Sequence, residues 1–207
     1  EKLYPERNLK EGAKVTRFAP SPTGFLHTGS LFTSLVAYKV AHDSDGVFYI
    51  RLEDTDTKPE TIEELFGTEQ LYMFNIIPNE GYLGDEETGK YGPYKQSSRK
   101  EIYEIVIKEM IKKGIAYPCF ASEEELTKLR NEQTANKEIT GYYGKYAIYR
   151  NLDVATAIQM IKDGKPYVIR FKSSGNHLNK IKVHDEIRGD LELSQNDQDI
   201  VIMKSDG

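Results

Sequence analysis

Residues 15–52 read as strand, loop, helix and strand, and that order leaves a chain few ways to fold. Val15-Thr-Arg-Phe-Ala19 is a short strand bounded by Pro20 and Pro22. Apolar residues then recur at Leu31, Phe32, Leu35, Val36, Tyr38, Val40 and Ala41, which predicts a helix over 29–42. The turn at 43–46 stops it with Gly46. Val47-Phe-Tyr-Ile-Arg-Leu52 is almost entirely apolar or aromatic, as in a strand covered on both faces. Two strands joined through a helix pair in parallel by a right-handed crossover. In such sheets ligands bind at the carboxyl ends of the strands. The loop 20–30 and the segment 53–56 are therefore expected side by side, although they are far apart in the chain.

The remaining pattern is more mixed. A helix is predicted over 62–74 with Gly67 as a weak point, and the Gly- and Pro-rich stretch 78–95 reads as an extended loop. Ser97 or Ser98 can cap a helix striped by Ile102, Ile105, Val106, Met110 and Ile111 and stopped by Gly114. A strand over 115–120 precedes a capping-box helix from Ser122 to about Asn131. Residues 132–150 are polar and Tyr-rich and yield no assignment. A helix over 153–162 is followed by strands at 167–172, 180–186, 191–194 and 199–203. The expected class is α/β, a Rossmann-like parallel sheet with an inserted α+β region.

Composition closes several other possibilities. A net charge of −5 excludes a polycation, so any nucleic-acid contact must be a local face. No apolar run approaches the ~18 residues of a membrane span, and no basic-then-apolar leader opens the chain. With one cysteine, Cys119, no disulfide can form within the chain and a Cys-rich zinc site is excluded. A cytoplasmic setting without membrane association fits. The chain begins at Glu1 and stops at Asp206-Gly207, which reads as a fragment of a longer protein.

Two segments carry chemistry. In Arg17-Phe-Ala-Pro-Ser-Pro-Thr-Gly-Phe-Leu-His-Thr-Gly-Ser30, two prolines hold a loop open and Ser21, Thr23 and Ser30 offer hydroxyls. Gly24 and Gly29 permit close approach of a ligand. His27 precedes a helix N-terminus, where backbone N–H groups favour an anion such as a nucleotide phosphate. The run is neither a Walker loop nor a dinucleotide fingerprint. The plain alternative is a proline-braced turn with a capping His. In Arg51-Leu-Glu-Asp-Thr-Asp56, three carboxylates at a strand end suit Mg²⁺ or a cationic group. The plain alternative there is a solvated acidic turn.

Together these segments resemble the signatures of class I aminoacyl-tRNA synthetases, specifically glutamyl-tRNA synthetase. That family reads Arg-x-Ala-Pro-Ser-Pro-Thr-Gly, then His-x-Gly-x, then Arg-x-Glu-Asp-Thr-Asp. The resemblance implies that Arg17 pairs with the side-chain carboxylate of L-glutamate and Glu53 holds its α-ammonium, with Ser21 and the Ala19 backbone completing the pocket. It implies His27 and Gly29 as catalytic residues that hold ATP together with Thr23, Gly24 and Ser30. Thr55, Asp56 and Lys58 would lie near the 3′ end of tRNA(Glu). Pro59 stands where the family often has Arg, and Lys58 can supply only a point charge. Gly92-Pro-Tyr-Lys-Gln-Ser-Ser-Arg99 resembles the family's junction into its acceptor-stem domain. Asp185-Glu-Ile-Arg-Gly189 and the stretch 200–207 resemble the exit and return strand of that insertion.

The implied organisation is an extension over 1–14, the first half of a nucleotide-binding domain over 15–96, an inserted acceptor-stem-binding domain over 97–197, and a return strand over 198–207. Many relatives carry a Cys-x-Cys zinc site. Here Ala121 follows Cys119 at the second position, so no structural zinc is expected and Cys119 reads as a buried strand residue. The family's Lys-x-Ser-Lys-Arg motif is absent. The implied activity is ATP- and Mg²⁺-dependent ligation of glutamate to tRNA by a monomeric parent enzyme, the fragment alone being inactive. The alternatives are a paralogue that glutamylates queuosine in tRNA, and a non-catalytic acceptor-stem binding module.

Overall fold

The computed structural model describes residues 4–22, 26–55, 69–84, 86–185 and 187–205. The chain divides into two compact units, Glu1–Ile102 and Tyr103–Gly207.

The first unit is built on β1 (Val15–Phe18), α1 (Thr28–Asp43) and β2 (Val47–Ile50). β1 and β2 pair in parallel, with Val15 opposite Val47 and Phe18 opposite Ile50. α1 covers the sheet through Ser34 and Ala41, both 0% exposed. The Thr16 hydroxyl donates to the Ala37 carbonyl at 2.6 Å and ties helix to strand. Of the helix expected over 62–74, the described part is α2 (Glu69–Met73), whose Leu71 joins Phe18, Phe48, Ile50, Leu52 and Ile76 in the core.

The stretch 78–95 departs from expectation. It contains β3 (Glu80–Tyr82), parallel to β2, and β4 (Glu87–Thr88), antiparallel to β3, giving sheet order β1-β2-β3-β4. Glycine content made it read as a loop, but Gly81 is there because the strands meet closely. Its φ is +130°, and a Cβ would lie 2.4 Å from the Ile50 carbonyl oxygen.

The part of α3 (Lys100–Lys112) in the second unit sets Ile107 and Met110 against β5 (Ala116–Cys119) and β6 (Val168–Phe171). β5 carries Pro118, tolerated because β5 is the edge of an antiparallel sheet ordered β5-β6-β9, with β9 at Val201–Met203. α4 (Glu123–Ala135) starts with the capping box of Ser122 and Glu125 and runs past the expected end at Asn131. The unassigned stretch 132–150 holds real core. Gln133 is 0% exposed and exchanges two hydrogen bonds with the backbone of Gly141, while Tyr142 and Tyr146 are buried. Asp153 caps α5 (Val154–Lys162). β7 (Lys180–Asp185) and β8 (Gly189–Ser194) form a separate hairpin.

β9 (Val201–Met203) pairs with β6, Ile169 facing Met203. Just before it, Asp199 is 1% exposed. Its carboxylate is held by Arg150, by the Tyr117 hydroxyl at 2.7 Å and by the Ser173 N–H at 2.8 Å. That network fixes the strand's entry beside β6.

Candidate active site

The parallel ladder continues beyond the strands. Arg51 N–H donates to the Phe18 carbonyl at 3.0 Å and Glu53 N–H to the Pro20 carbonyl at 2.9 Å. Side chains alternate along it. Phe18 and Leu52 therefore point into the core, at 6% and 0% exposure, while Arg17, Arg51 and Glu53 share the other face. Arg17 Nη1 stands 3.4 Å from Glu53 Oε1. Arg51 donates to the same oxygen through Nε at 3.0 Å and Nη2 at 2.5 Å. Glu53 Oε2 has no hydrogen-bond partner among the described residues. Arg51 was missed as a site residue. Its signal was present in the i, i+2 spacing to Glu53, which on a strand places both on one face.

His27 is the N-cap of α1, in extended backbone conformation. Its Nδ1 accepts from Gly29 N–H at 3.1 Å and from Ser30 N–H at 3.4 Å. An accepting Nδ1 places the ring proton on Nε2, which lies 3.2 Å from the Ser30 hydroxyl. Gly29 keeps the ring in place, since a Cβ there would sit 3.0 Å from His27 Cε1. No acidic residue occupies the first turn of α1, so the chain supplies no negative side chain to its positive end. The Leu26 N–H is held by Gln70 Oε1 at 3.3 Å. Pro20 and Pro22 are buried braces, Ala19 is half-buried, and Ser21 is exposed beside them. Thr23, Gly24, Asp56 and Lys58 lie outside the described residues.

Asp54 is not a solvated acidic residue. Its carboxylate accepts from Ser97 N–H at 2.8 Å and from the Ser97 hydroxyl at 2.5 Å, with Lys95 Nζ at 3.8 Å. It caps, from a distant part of the chain, the turn at Ser97–Arg99 that leads into α3. A cap from Ser97 or Ser98 was expected; the Ser97 side chain donates instead. The Thr55 hydroxyl donates to Gln96 Oε1 at 3.3 Å. With Glu53 and Asp54 engaged in this way, the described carboxylates do not fit a Mg²⁺ ligand set. No group of three or more His, Cys, Asp or Glu that could hold a metal occurs among the described residues.

A model of the catalytic domain of class I tRNA synthetases (E and Q) matches residues 14–207. The chain belongs to that family. Glutamate–tRNA ligases of Clostridium beijerinckii and Clostridium perfringens are 49% and 48% identical to it over 99% of its length. A crystal structure of a glutamate tRNA ligase from Elizabethkingia meningosepticum, in complex with its amino acid, matches with a TM-score of 0.77 at 34% identity and covers 95% of this chain. The chain spans 37% and 38% of the two Clostridium proteins and 39% of the Elizabethkingia chain. In this class I synthetase chain Cys119 is 1% exposed and donates to the Tyr142 hydroxyl at 3.3 Å, inside a core of Tyr117, Tyr142 and Ala147. His177 and His184 each pair with one aspartate, Asp197 and Asp190. No helix among the described residues is long and apolar enough to cross a membrane.

Proposed function

We propose that the protein to which this chain contributes joins glutamate to tRNA(Glu) in two steps that consume ATP. The observation that carries the reading is the pair Arg17 and Glu53, a guanidinium and a carboxylate 3.4 Å apart at adjacent strand ends. Glutamate presents the complementary charges. Its side-chain carboxylate suits the planar fork of Arg17, and its α-ammonium suits Oε2 of Glu53, which has no partner among the described residues. Ser21 and the Ala19 backbone complete the pocket. The α-carboxylate is then left to react.

In the first step that carboxylate attacks the α-phosphorus of ATP, the bond to the bridging oxygen breaks, and pyrophosphate leaves. In the second, the 2′-hydroxyl of the terminal adenosine attacks the adenylate carbonyl and AMP leaves. No side chain serves as nucleophile. The rate comes from positioning and from fixed donors facing the developing phosphate charge. His27 Nε2–H would be such a donor, backed by the positive end of α1 whose Gly29 and Ser30 N–H groups His27 Nδ1 caps, with Thr23 and Gly24 completing the ATP site. Mg²⁺ would arrive on the ATP phosphates and neutralise part of their charge. Thr55, Asp56 and Lys58 would meet the tRNA 3′ end, and the second unit its acceptor stem. We read Cys119 as a core residue in a protein without structural zinc, acting as a cytoplasmic monomer.

The test is glutamate-dependent exchange of pyrophosphate into ATP by the intact protein with tRNA(Glu) present. Exchange is expected. Binding of tRNA without exchange would overturn the reading in favour of a non-catalytic tRNA-binding protein.

A further inference from the structure

Residues 4–7 precede the residues matched by the family model, and the proposed chemistry does not use them. They are nevertheless docked with care on the first unit. The Tyr4 hydroxyl donates to the Gly92 carbonyl at 2.9 Å. The Tyr4 ring stacks with Tyr91, centroids 6.5 Å apart and planes 15° from parallel. The Arg7 guanidinium lies 3.7 Å over the Tyr91 ring and pairs with Glu80. Glu80 is 7% exposed, so Arg7 is the cation that keeps this carboxylate compensated. Burial opposes the Arg7 charge, but the hydrogen bond and charge of Glu80 outweigh it and hold Arg7 above its ordinary pKa. The Arg99 guanidinium stands 5.7 Å over the Tyr4 ring.

The loop gripped in this way leads directly to the site. Tyr91 N–H donates to the Tyr94 hydroxyl at 3.1 Å. The Tyr94 carbonyl accepts from Leu52 N–H, and the Leu52 carbonyl accepts from Gln96 N–H, each at 2.9 Å. Gln96 holds the Thr55 hydroxyl, and Ser97 holds the Asp54 carboxylate. Both sequence neighbours of Glu53 are therefore tied to residues 94–97. Those residues are tied in turn, through 91 and 92, to Tyr4 and Arg7. The His27 end of α1 has its own supports, its cap and Gln70, and makes none of these contacts.

We propose that Tyr4 and Arg7 are positioning residues, a clip that sets the strand end carrying Glu53 at the place where it meets the amino-acid substrate. The proposal rests on the assignment of Glu53 to the ammonium of glutamate. A segment that merely added stability would affect both substrates alike. A clip on Glu53 affects the amino acid and spares ATP.

The experiment uses the intact protein with Arg7→Ala, Arg7→Lys and Tyr4→Phe. Arg7→Ala should raise the KM for glutamate about tenfold and leave the KM for ATP within about twofold. Tyr4→Phe keeps the ring and loses the bond to Gly92, and should raise the glutamate KM about threefold. Arg7→Lys restores charge opposite Glu80 and should recover part of the loss. Amide hydrogen exchange at Leu52, Gln96 and Ser97 should rise about tenfold in Arg7→Ala, with Phe48 unchanged. Equal increases in both KM values, or faster exchange confined to residues 91 and 92, would overturn the clip. Wild-type protein that fails to activate glutamate would instead overturn the functional reading, and the exchange result would still decide whether the clip reaches residues 52, 96 and 97.

Discussion

Glu53 concentrates the electrostatics of the site on one oxygen, shared by two guanidiniums of different reach. Arg51 grips it at 2.5 Å and 3.0 Å, whereas Arg17 sits at 3.4 Å with 40% of its side chain exposed. Arg51 is the anchor and Arg17 is the arm free to turn to a substrate. Arg17→Ala should therefore raise the KM for glutamate about 100-fold, the loss of a charge-assisted contact, and leave the KM for ATP unchanged. Steady-state exchange kinetics with each substrate varied in turn would check this. Equal effects on both substrates would show that Arg17 is structural. At His27 the cap and the phosphate-facing role separate chemically. Asn can accept the N–H bonds of an N-cap but cannot present Nε2–H. His27→Asn should melt within about 2 °C of wild type while pyrophosphate exchange falls about 100-fold. His27→Ala should also lose about 1 kcal/mol of stability. The closeness of the segments after β1 and β2 was legible because a parallel register converts two distant motifs into neighbours, while the roles of Arg17 and Glu53 came from the family resemblance. Arg51 was not legible, because its role needs the strand's face to be known, and a strand of four residues announces its period weakly.

Among the elements, the strand–helix–strand unit was legible because its apolar runs have no other consistent fold. The hairpin half of the first sheet was hidden by glycine. Gly81 reads as a breaker in sequence, yet it marks the point where β3 lies against the Ile50 backbone. Gly81→Ala would place a Cβ 2.4 Å from a carbonyl oxygen at a φ of +130°. It should cost about 3 kcal/mol or more, seen as a lower urea midpoint with no change in its denaturant slope. Asp54 was similarly misjudged, since a carboxylate in an acidic run looks solvated until its partner 43 residues away is known. It accepts both donors of Ser97 at the start of the turn leading to α3. Asp54→Ala leaves the Ser97 N–H without that acceptor and should cost roughly 1–3 kcal/mol. Asp54→Asn retains one acceptor and should cost less. An Asp54→Ala midpoint equal to wild type would show that the bond is not maintained in solution.

Across the molecule as a whole, three of the buried tyrosines give the fold an alkaline limit. Tyr94, Tyr117 and Tyr142 are 2%, 8% and 6% exposed. Burial is the largest cause of each upward shift. It takes Tyr94 to about 12 and, with the Asp199 carboxylate against Tyr117 and Cys119 against Tyr142, pushes the other two further. A phenol whose pKa is raised on folding favours the native state fully below its unfolded value, near pH 10, and loses that contribution as pH climbs toward the folded value. Between about pH 10 and 12 the unfolded chain thus sheds protons that the native chain keeps. Each such phenol lowers stability by about 1.4 kcal/mol per pH unit there. Titration of the phenolate absorbance should show Tyr94, Tyr117 and Tyr142 still protonated in the native state at a pH above 10 where the same phenols of the unfolded chain have ionised. Their ionisation should then arrive together with the loss of far-ultraviolet dichroism. The pairing with Asp199 and Cys119 makes the order specific. Tyr117→Phe and Tyr142→Phe should each remove one silent proton and flatten the decline above pH 10. A gradual titration of all tyrosines with structure intact would contradict the burial on which this argument stands.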